Sequence, residues 1–271
     1  MKYKNIKEYY SLCWIMVALL SIITYTSKGQ VTLKKDLREE DYPVFGTLIS
    51  NKSSADGRWV SFLMYYENGK DTLFVKSTVN GRKYSFPVAA NPAFIGNQHF
   101  SYTSKTGLHI LDLVNGKEKA IPSVTNYSSS QVFDQLVALV GSGTSEKYLL
   151  VLDKYGNTKE KIKGAISFQM SPCGKKLVYV TKSDSLYSVG LLELGKPNGI
   201  SWIVERSVDD LKTLTWEKQG RAFSFISKNT VFSRKSLLFY YRIDNHSLYT
   251  LEPEKQMGFP RDRTLDNQSF V

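Results

Sequence analysis

The sequence predicts an all-β protein assembled from repeated units of four antiparallel strands, and three observations carry that expectation. The first is composition: the 271 residues include 17 Tyr, 14 Phe and 4 Trp, types that suit a pleated, half-buried surface. The second is one motif that returns at a nearly fixed spacing. The third is that no long amphipathic helical pattern occurs after residue 30. Runs of four to eight residues instead alternate with turn residues.

The motif is a polar turn followed by an alternating strand. It stands as Ser54-Ala55-Asp56-Gly57-Arg58-Trp59-Val60-Ser61-Phe62 and again as Ser171-Pro172-Cys173-Gly174-Lys175-Lys176-Leu177-Val178-Tyr179. Weaker copies begin at Phe94, Phe133 and Trp216. The anchor positions 57, 96, 134, 174 and 220 are separated by 39, 38, 40 and 46 residues. A period near 40 is that of the four-stranded blades of a β-propeller.

The elements follow in order. Lys34–Asp41 reads as a turn of helix ahead of the first blade. In blade 1, strands are expected at Trp59–Tyr66, Thr72–Ser77 and Tyr84–Val88, with Asn80-Gly81 as a type I′ hairpin turn, since both residues tolerate positive φ. Blade 2 places strands at Leu108–Val114 and Lys119–Ile121 around Asn115-Gly116. Blade 3 places them at Tyr148–Asp153 and Glu160–Ile162 around Tyr155-Gly156-Asn157. Blade 4 reads as Leu177–Thr181, Tyr187–Leu194 and Trp202–Glu205, and blade 5 as Ala222–Ser227, Leu237–Ile243 and Leu248–Leu251. Leu265–Val271 resembles the opening of a further repeat. The expectation is therefore about five blades plus the start of a sixth, an incomplete ring truncated at the C-terminus over residues 30–271.

Residues 1–29 read as a secretory signal. Lys2, Lys4 and Lys7 form a basic region, Leu12–Ile23 is apolar, and Ser27 and Gly29 precede a cut before Gln30. The apolar run falls short of the roughly 20 residues of a bilayer span, so no stable membrane span is expected after cleavage. An uncleaved anchor is the alternative. The expected location is periplasmic or extracellular. Cys13 lacks the small residues that precede a lipid-attachment cysteine. Cys173, the other cysteine, reads as an incidental thiol in a turn, and two cysteines exclude a disulfide scaffold. Four lysines and one glutamate lie in residues 1–29, so the net charge falls from +11 to +8 after cleavage. The basic residues are scattered, which speaks against a nucleic-acid partner.

Chemistry-bearing patterns are sparse. His99, His109 and His246 are the three histidines, and each reads as a strand or turn residue. Asp56, Asp71, Asp112, Asp134 and Asp153 do not form the spaced calcium loop and read as turn caps. No phosphate-cradling glycine motif occurs. Asn51, Asn126, Asn245 and Asn267 open N-x-S sequons, which read as chance. No metal and no cofactor is expected.

The Ser-x-Asp-Gly-x-x-Val-Ser-Phe motif, followed by Asp71-Thr72-Leu73-Phe74-Val75, resembles the N-terminal propeller of secreted prolyl oligopeptidase-type serine peptidases, the group that includes dipeptidyl and acylaminoacyl peptidases. The resemblance runs from about Leu33 onward, and TolB-like propellers share the blade motif. It implies a propeller that gates an α/β-hydrolase active site. The departure is large: no G-x-S-x-G nucleophile elbow is present, and Gly141-Ser142-Gly143-Thr144-Ser145 reads as a hairpin loop. No catalytic residue carries over. The acidic Glu39-Glu40-Asp41 does not match the context of the paired glutamates that grip a substrate amine in dipeptidyl peptidases. The inner strands, taken as those at Trp59–Tyr66 and Leu136–Val140, carry few acids, arginines or histidines for a channel enzyme. Two readings remain: a non-catalytic, substrate-gating propeller portion of an exported peptidase, with a separate hydrolase domain or peptide substrate as partner; or a stand-alone TolB-like periplasmic propeller that binds a protein or ligand.

Overall fold

The computed structural model describes residues 36–141, 143, 146–196, 199–228, 236–252 and 255. The signal segment with Cys13, the Ser142, Thr144 and Ser145 positions, and the sixth-repeat segment Leu265–Val271 with Asn267 lie outside the described residues. The chain divides into a unit ending at Pro43 and a unit from Val44 onward. A 3-10 turn spans Glu39–Val44, slightly later than the helical turn expected at Lys34–Asp41.

Among the described residues twenty strands follow. Blade 1 consists of β1 (Gly46–Ser53), β2 (Trp59–Tyr66), β3 (Thr72–Ser77) and β4 (Lys83–Pro87); blade 2 of β5 (Ala90–Ile95), β6 (His99–Ser104), β7 (Gly107–Asp112) and β8 (Glu118–Ile121). Blade 3 consists of β9 (Val124–Ser130), β10 (Gln135–Val140), β11 (Tyr148–Asp153) and β12 (Thr158–Lys163); blade 4 of β13 (Ala165–Met170), β14 (Lys176–Ser183), β15 (Leu186–Glu193) and β16 (Ile200–Ser207). Blade 5 consists of β17 (Asp210–Trp216), β18 (Ala222–Lys228), β19 (Leu237–Arg242) and β20 (Ser247–Leu251). Every blade is an antiparallel sheet of four consecutive strands, the architecture of propeller blades. No ring closure is formed among the described residues.

The recurring motif makes the turn between the first and second strands of a blade. In blades 1, 4 and 5 the amides of Ser54, Ser171 and Glu217 donate to the carbonyls of Trp59, Lys176 and Ala222 at 3.0, 2.8 and 2.9 Å. Gly57, Gly174 and Gly220 close the turn at φ of 68°, 68° and 70°, which glycine adopts without a Cβ penalty. The Ser54 and Ser171 hydroxyls accept the amides five residues on at 3.1 and 3.0 Å. These side chains are buried, so the turn serine satisfies a backbone donor that burial would otherwise strand.

Two sequence expectations are corrected here. The strands Trp59–Tyr66 and Leu136–Val140 are second strands, flanked on both sides, and not the innermost ones. The innermost are β1, β5, β9, β13 and β17; β1 lies against β5, β5 against β9 and β13 against β17. The Asn-Gly hairpins are not type I′ either. Only Gly81 and Gly116 of each pair have positive φ. Asn80 and Asn115 act through their side chains, whose Oδ1 atoms accept the amides of Arg82 and Lys117 at 3.1 and 2.7 Å. These longer turns need one left-handed residue, not two. Four of the five aspartates cap turns in the same way: Asp56, Asp71, Asp112 and Asp153 each accept a nearby main-chain N–H. Asp134 instead lies against Gly96, where an added Cβ would come within 2.9 Å of its carboxylate.

Apolar packing lies between blades. Four cores join successive pairs: Trp59, Leu73 and Val75 with Phe94, Phe100 and Leu111; Leu108 and Ile110 with Leu136 and Leu152; Val137 and Val151 with Tyr179 and Leu192; Val178 and Val189 with Trp216, Phe223 and Phe225. Truncating Phe100, fully buried in the first core, is expected to cost about 3–5 kcal/mol, whereas Tyr240→Ala, 40% exposed on blade 5, should stay within about 0.5 kcal/mol. Chemical denaturation of the two variants checks this; similar losses would mean the cores do not carry the fold.

Candidate functional site

Of the five inner strands, β1 (Gly46–Ser53) and β9 (Val124–Ser130) are rich in polar residues, and one edge of each of the five is not paired within its own blade. All five also break register against their second strands: at Ile49/Asn51, Ala90/Ala93, Leu139/Val140, Ala165/Ser167 and Lys212/Thr215. Such bulges bend an edge strand and re-aim its polar groups. In β5 the bulge holds Asn91 at φ 52° beside Pro92, which has no N–H to donate. Lys52 Nζ donates to Pro92 O at 2.7 Å, and the Tyr127 hydroxyl donates to Asn91 O.

These residues wall a groove of about 290 Å³ on the inner strands of blades 1 to 3. Lys52, Asn91, Thr103 and Asn126 to Ser129 line it. Asn91 Nδ2 donates to Thr103 Oγ1 at 3.1 Å, and Tyr127 OH is within 3.3 Å of Ser101 Oγ. Burial pushes the Tyr127 phenol up to about 12, so it stays protonated and works as a hydrogen-bond group. The site offers amide and hydroxyl groups with a single lysine, a surface suited to hydrogen-bonding an extended polar ligand. Sequence reading passed over this groove, since none of its residues belongs to a chemical motif; the Asn91-Pro92 pair within a short β-run was the available signal. Asn126, one of the sequon residues, lies exposed on its wall.

The three histidines occupy separate places. His246 Nδ1 is 3.1 Å from the Tyr241 hydroxyl in the β19–β20 turn. His109 lies in a chain that runs from Ser104 Oγ (2.9 Å) and Thr106 Oγ1 (2.7 Å) to Nε2, and from Nδ1 to Glu118 Oε1. The connectivity is that of a nucleophile–base–acid relay. However, Nε2 is shared by two hydroxyls, Ser104 Oγ also accepts the Thr106 N–H at 3.1 Å, and Tyr102 both stacks on the ring at 4.8 Å and donates to Glu118 at 2.9 Å. The group braces the β6–β7 hairpin against β8. Cys173 is exposed in its turn; the Ser171 hydroxyl beside it lowers its thiol pKa. Glu40 of the Glu39-Glu40-Asp41 cluster pairs with Arg38 at 3.4 Å. Among the described residues there is no group of three or more His, Cys, Asp and Glu able to hold a metal, and no helix is long and apolar enough to cross a membrane.

No family model matches the chain, and no curated protein sequence matches it. Solved structures are similar in fold. The β-propeller domain of the trilobed protease from Pyrococcus furiosus is 11% identical, with TM-score 0.47 over 78% of this chain and 72% of that one. The acylaminoacyl peptidase of Pyrococcus horikoshii is 11% identical, with TM-score 0.42 over 80% of this chain. This chain spans 40% of that peptidase's length. The hydrazine synthase of Kuenenia stuttgartiensis is 13% identical, with TM-score 0.44, covering 82% of this chain and 69% of that one.

His99 provides a pH test of the blade 2–blade 3 junction. It is 5% exposed, its Nε2 has no hydrogen-bond partner among the described residues, and its ring meets Tyr155 edge-on at 5.0 Å. Burial holds its pKa below the ordinary value of 6.5. The unfolded chain therefore takes up a proton that the folded one refuses. The stabilisation is complete above about pH 6.5 and is lost as pH falls toward the folded pKa. The stability difference between wild type and His99→Gln should shrink over that interval. A difference independent of pH would overturn this account.

Proposed function

We propose that the chain is a non-catalytic propeller that gates peptide access to an α/β-hydrolase partner, in an exported protein of prolyl oligopeptidase type. The observation that carries the reading is the inner-strand groove: Lys52, Asn126 and the hydroxyls around Tyr127 stand where an extended peptide could exchange main-chain hydrogen bonds. The blade motif's resemblance to peptidase propellers supports the same direction, and the basic-then-apolar residues 1–29 support export with cleavage before Gln30. A second reading, a stand-alone exported binding propeller of TolB-like type, is favoured by the groove lying wholly within blades 1 to 3 of this one chain.

One assay separates the readings. The full chain is incubated with proline- and alanine-containing chromogenic peptides, alone and with the polypeptide encoded directly downstream. The gating reading expects cleavage only with the partner, and a Lys52→Met variant that shifts KM by about tenfold with kcat little changed. Binding of the peptides with no cleavage in either case favours the stand-alone propeller; cleavage by the chain alone would sink both. For localisation, amino-terminal sequencing of the exported product should read from Gln30. Retention of Met1 in a membrane fraction would replace the cleaved signal by an anchor.

A further inference from the structure

A second cleft, of about 400 Å³, opens between blades 3 and 4, away from the inner-strand groove. Its blade 3 wall is set by strand register. Val137 pairs with Val151, and Val151 with Glu160; Gln135 lies two residues before Val137 on β10, and Ile162 two after Glu160 on β12. The period of two brings all five side chains to the face that packs on blade 4. Leu194, Gly195 and Lys196, at the end of β15, form the opposite wall. The Phe133 ring abuts Gly195, where an added Cβ would approach it to 2.8 Å.

The two carboxylates of this cleft differ in kind. Glu193 is neutralised twice, by Lys176 at 3.1 Å and by Lys196, and these bonds lower its pKa. Glu160 is half-buried and has no ion-pair or hydrogen-bond partner among the described residues. Burial alone raises its pKa. The adjacent lysines do not supply a partner: Lys161 leaves the other face of β12 and lies 3.9 Å over the Tyr148 ring, and Lys159 stands at the rim and acts on Asp153. Gln135 adds a second orphan. It is 5% exposed, lines the cleft, and its buried Oε1 has no hydrogen-bond partner among the described residues. Behind them the Tyr179 hydroxyl is buried, has no hydrogen-bond partner among the described residues, and feels the Glu160 charge. Tyr179 is held there because its ring lies across Gly190, where a Cβ would meet it at 2.3 Å, with Trp202 edge-on at 5.8 Å.

A half-buried carboxylate with no cation of its own, lining a cleft, favours a donor-rich positive group as its partner. We propose that this cleft binds an ammonium or guanidinium group, carried by a small amine or by a basic side chain, with Glu160 as its charge partner. The site needs neither the gating role nor a hydrolase partner.

The test is calorimetric titration of the full chain with n-butylammonium, agmatine and Nα-acetyl-L-lysine amide, with 1-butanol as the uncharged comparison. The cations should bind and butanol should not. Glu160→Gln, which keeps the shape and removes the charge, should weaken binding at least about tenfold, and Lys161→Gln, on the same strand but the other face, should leave it unchanged. Glu160→Asp, which keeps the charge on a shorter arm, should bind the cations severalfold more weakly than wild type, which serves if Glu160→Gln melts early. Binding of the lysine amide equal to that of butylammonium identifies a peptide or protein side chain as the ligand; binding of the free amines only identifies a small amine. No cation binding to the wild-type chain, or undiminished binding to Glu160→Gln, would overturn the assignment.

Discussion

The unpaired edge of each blade's innermost strand is the constraint from which the rest of the structure follows. An edge strand presents N–H and C=O groups that invite pairing with another chain. Here a side chain from the adjoining blade takes them up instead. Lys52 and Tyr127 reach the β5 carbonyls from either side. Ser130 Oγ, at the end of β9, donates to Gly174 O in the β13–β14 turn at 2.6 Å, which ties blade 3 to blade 4 beside those edges. Trp216 Nε1 donates to Gln169 O at 3.0 Å across blades 4 and 5, while its own amide donates to Gln169 Oε1 at 3.2 Å. The bulges aim the carbonyls and the neighbouring blade supplies the donor, so edge protection and blade docking are one set of bonds.

Farther out, aromatic rings continue the same junctions. Between blades 1 and 2 the rings of Trp59, Tyr84, Phe86, Tyr102 and His109 succeed one another at 6.1, 6.5, 4.2 and 4.8 Å. Tyr84 also donates to Leu113 O at 3.1 Å, so the outermost strand of one blade is tied to the next by both ring and hydroxyl. Such rings add geometric preference to plain burial, which suits a junction that must hold two sheets at a fixed angle. Between blades 3 and 4 two buried polar atoms, Gln135 Oε1 and the Tyr179 hydroxyl, have no hydrogen-bond partner among the described residues.

The blade count and the second, third and fourth strands were legible in the sequence because their alternation is regular and their turns carry glycine, asparagine and aspartate. The first strands were not legible. Val124-Thr125-Asn126-Tyr127-Ser128-Ser129-Ser130 has no apolar period, since its side chains face a polar groove and a bulge interrupts the alternation of two. The reading therefore started each blade one strand late and mistook β2 and β10 for inner strands. The groove was hidden for the same reason. Glu160 was hidden differently: within Thr158-Lys159-Glu160-Lys161-Ile162-Lys163 it looks like one charge of a solvated strand, and only the packing of blade 4 separates it from its lysine neighbours. Asn-Gly pairs correctly marked turns, but the work of the asparagine as an acceptor depends on loop length, which the dipeptide does not specify.

The junctions are arranged in series. Each core joins a blade only to the one before or after it, so the energetics approach those of a one-dimensional array with nearest-neighbour coupling. Cooperativity in such an array is set by its weakest link. Blades 2, 3 and 4 each take part in two such cores, so exposing any one of them to solvent exchange requires two junctions to open.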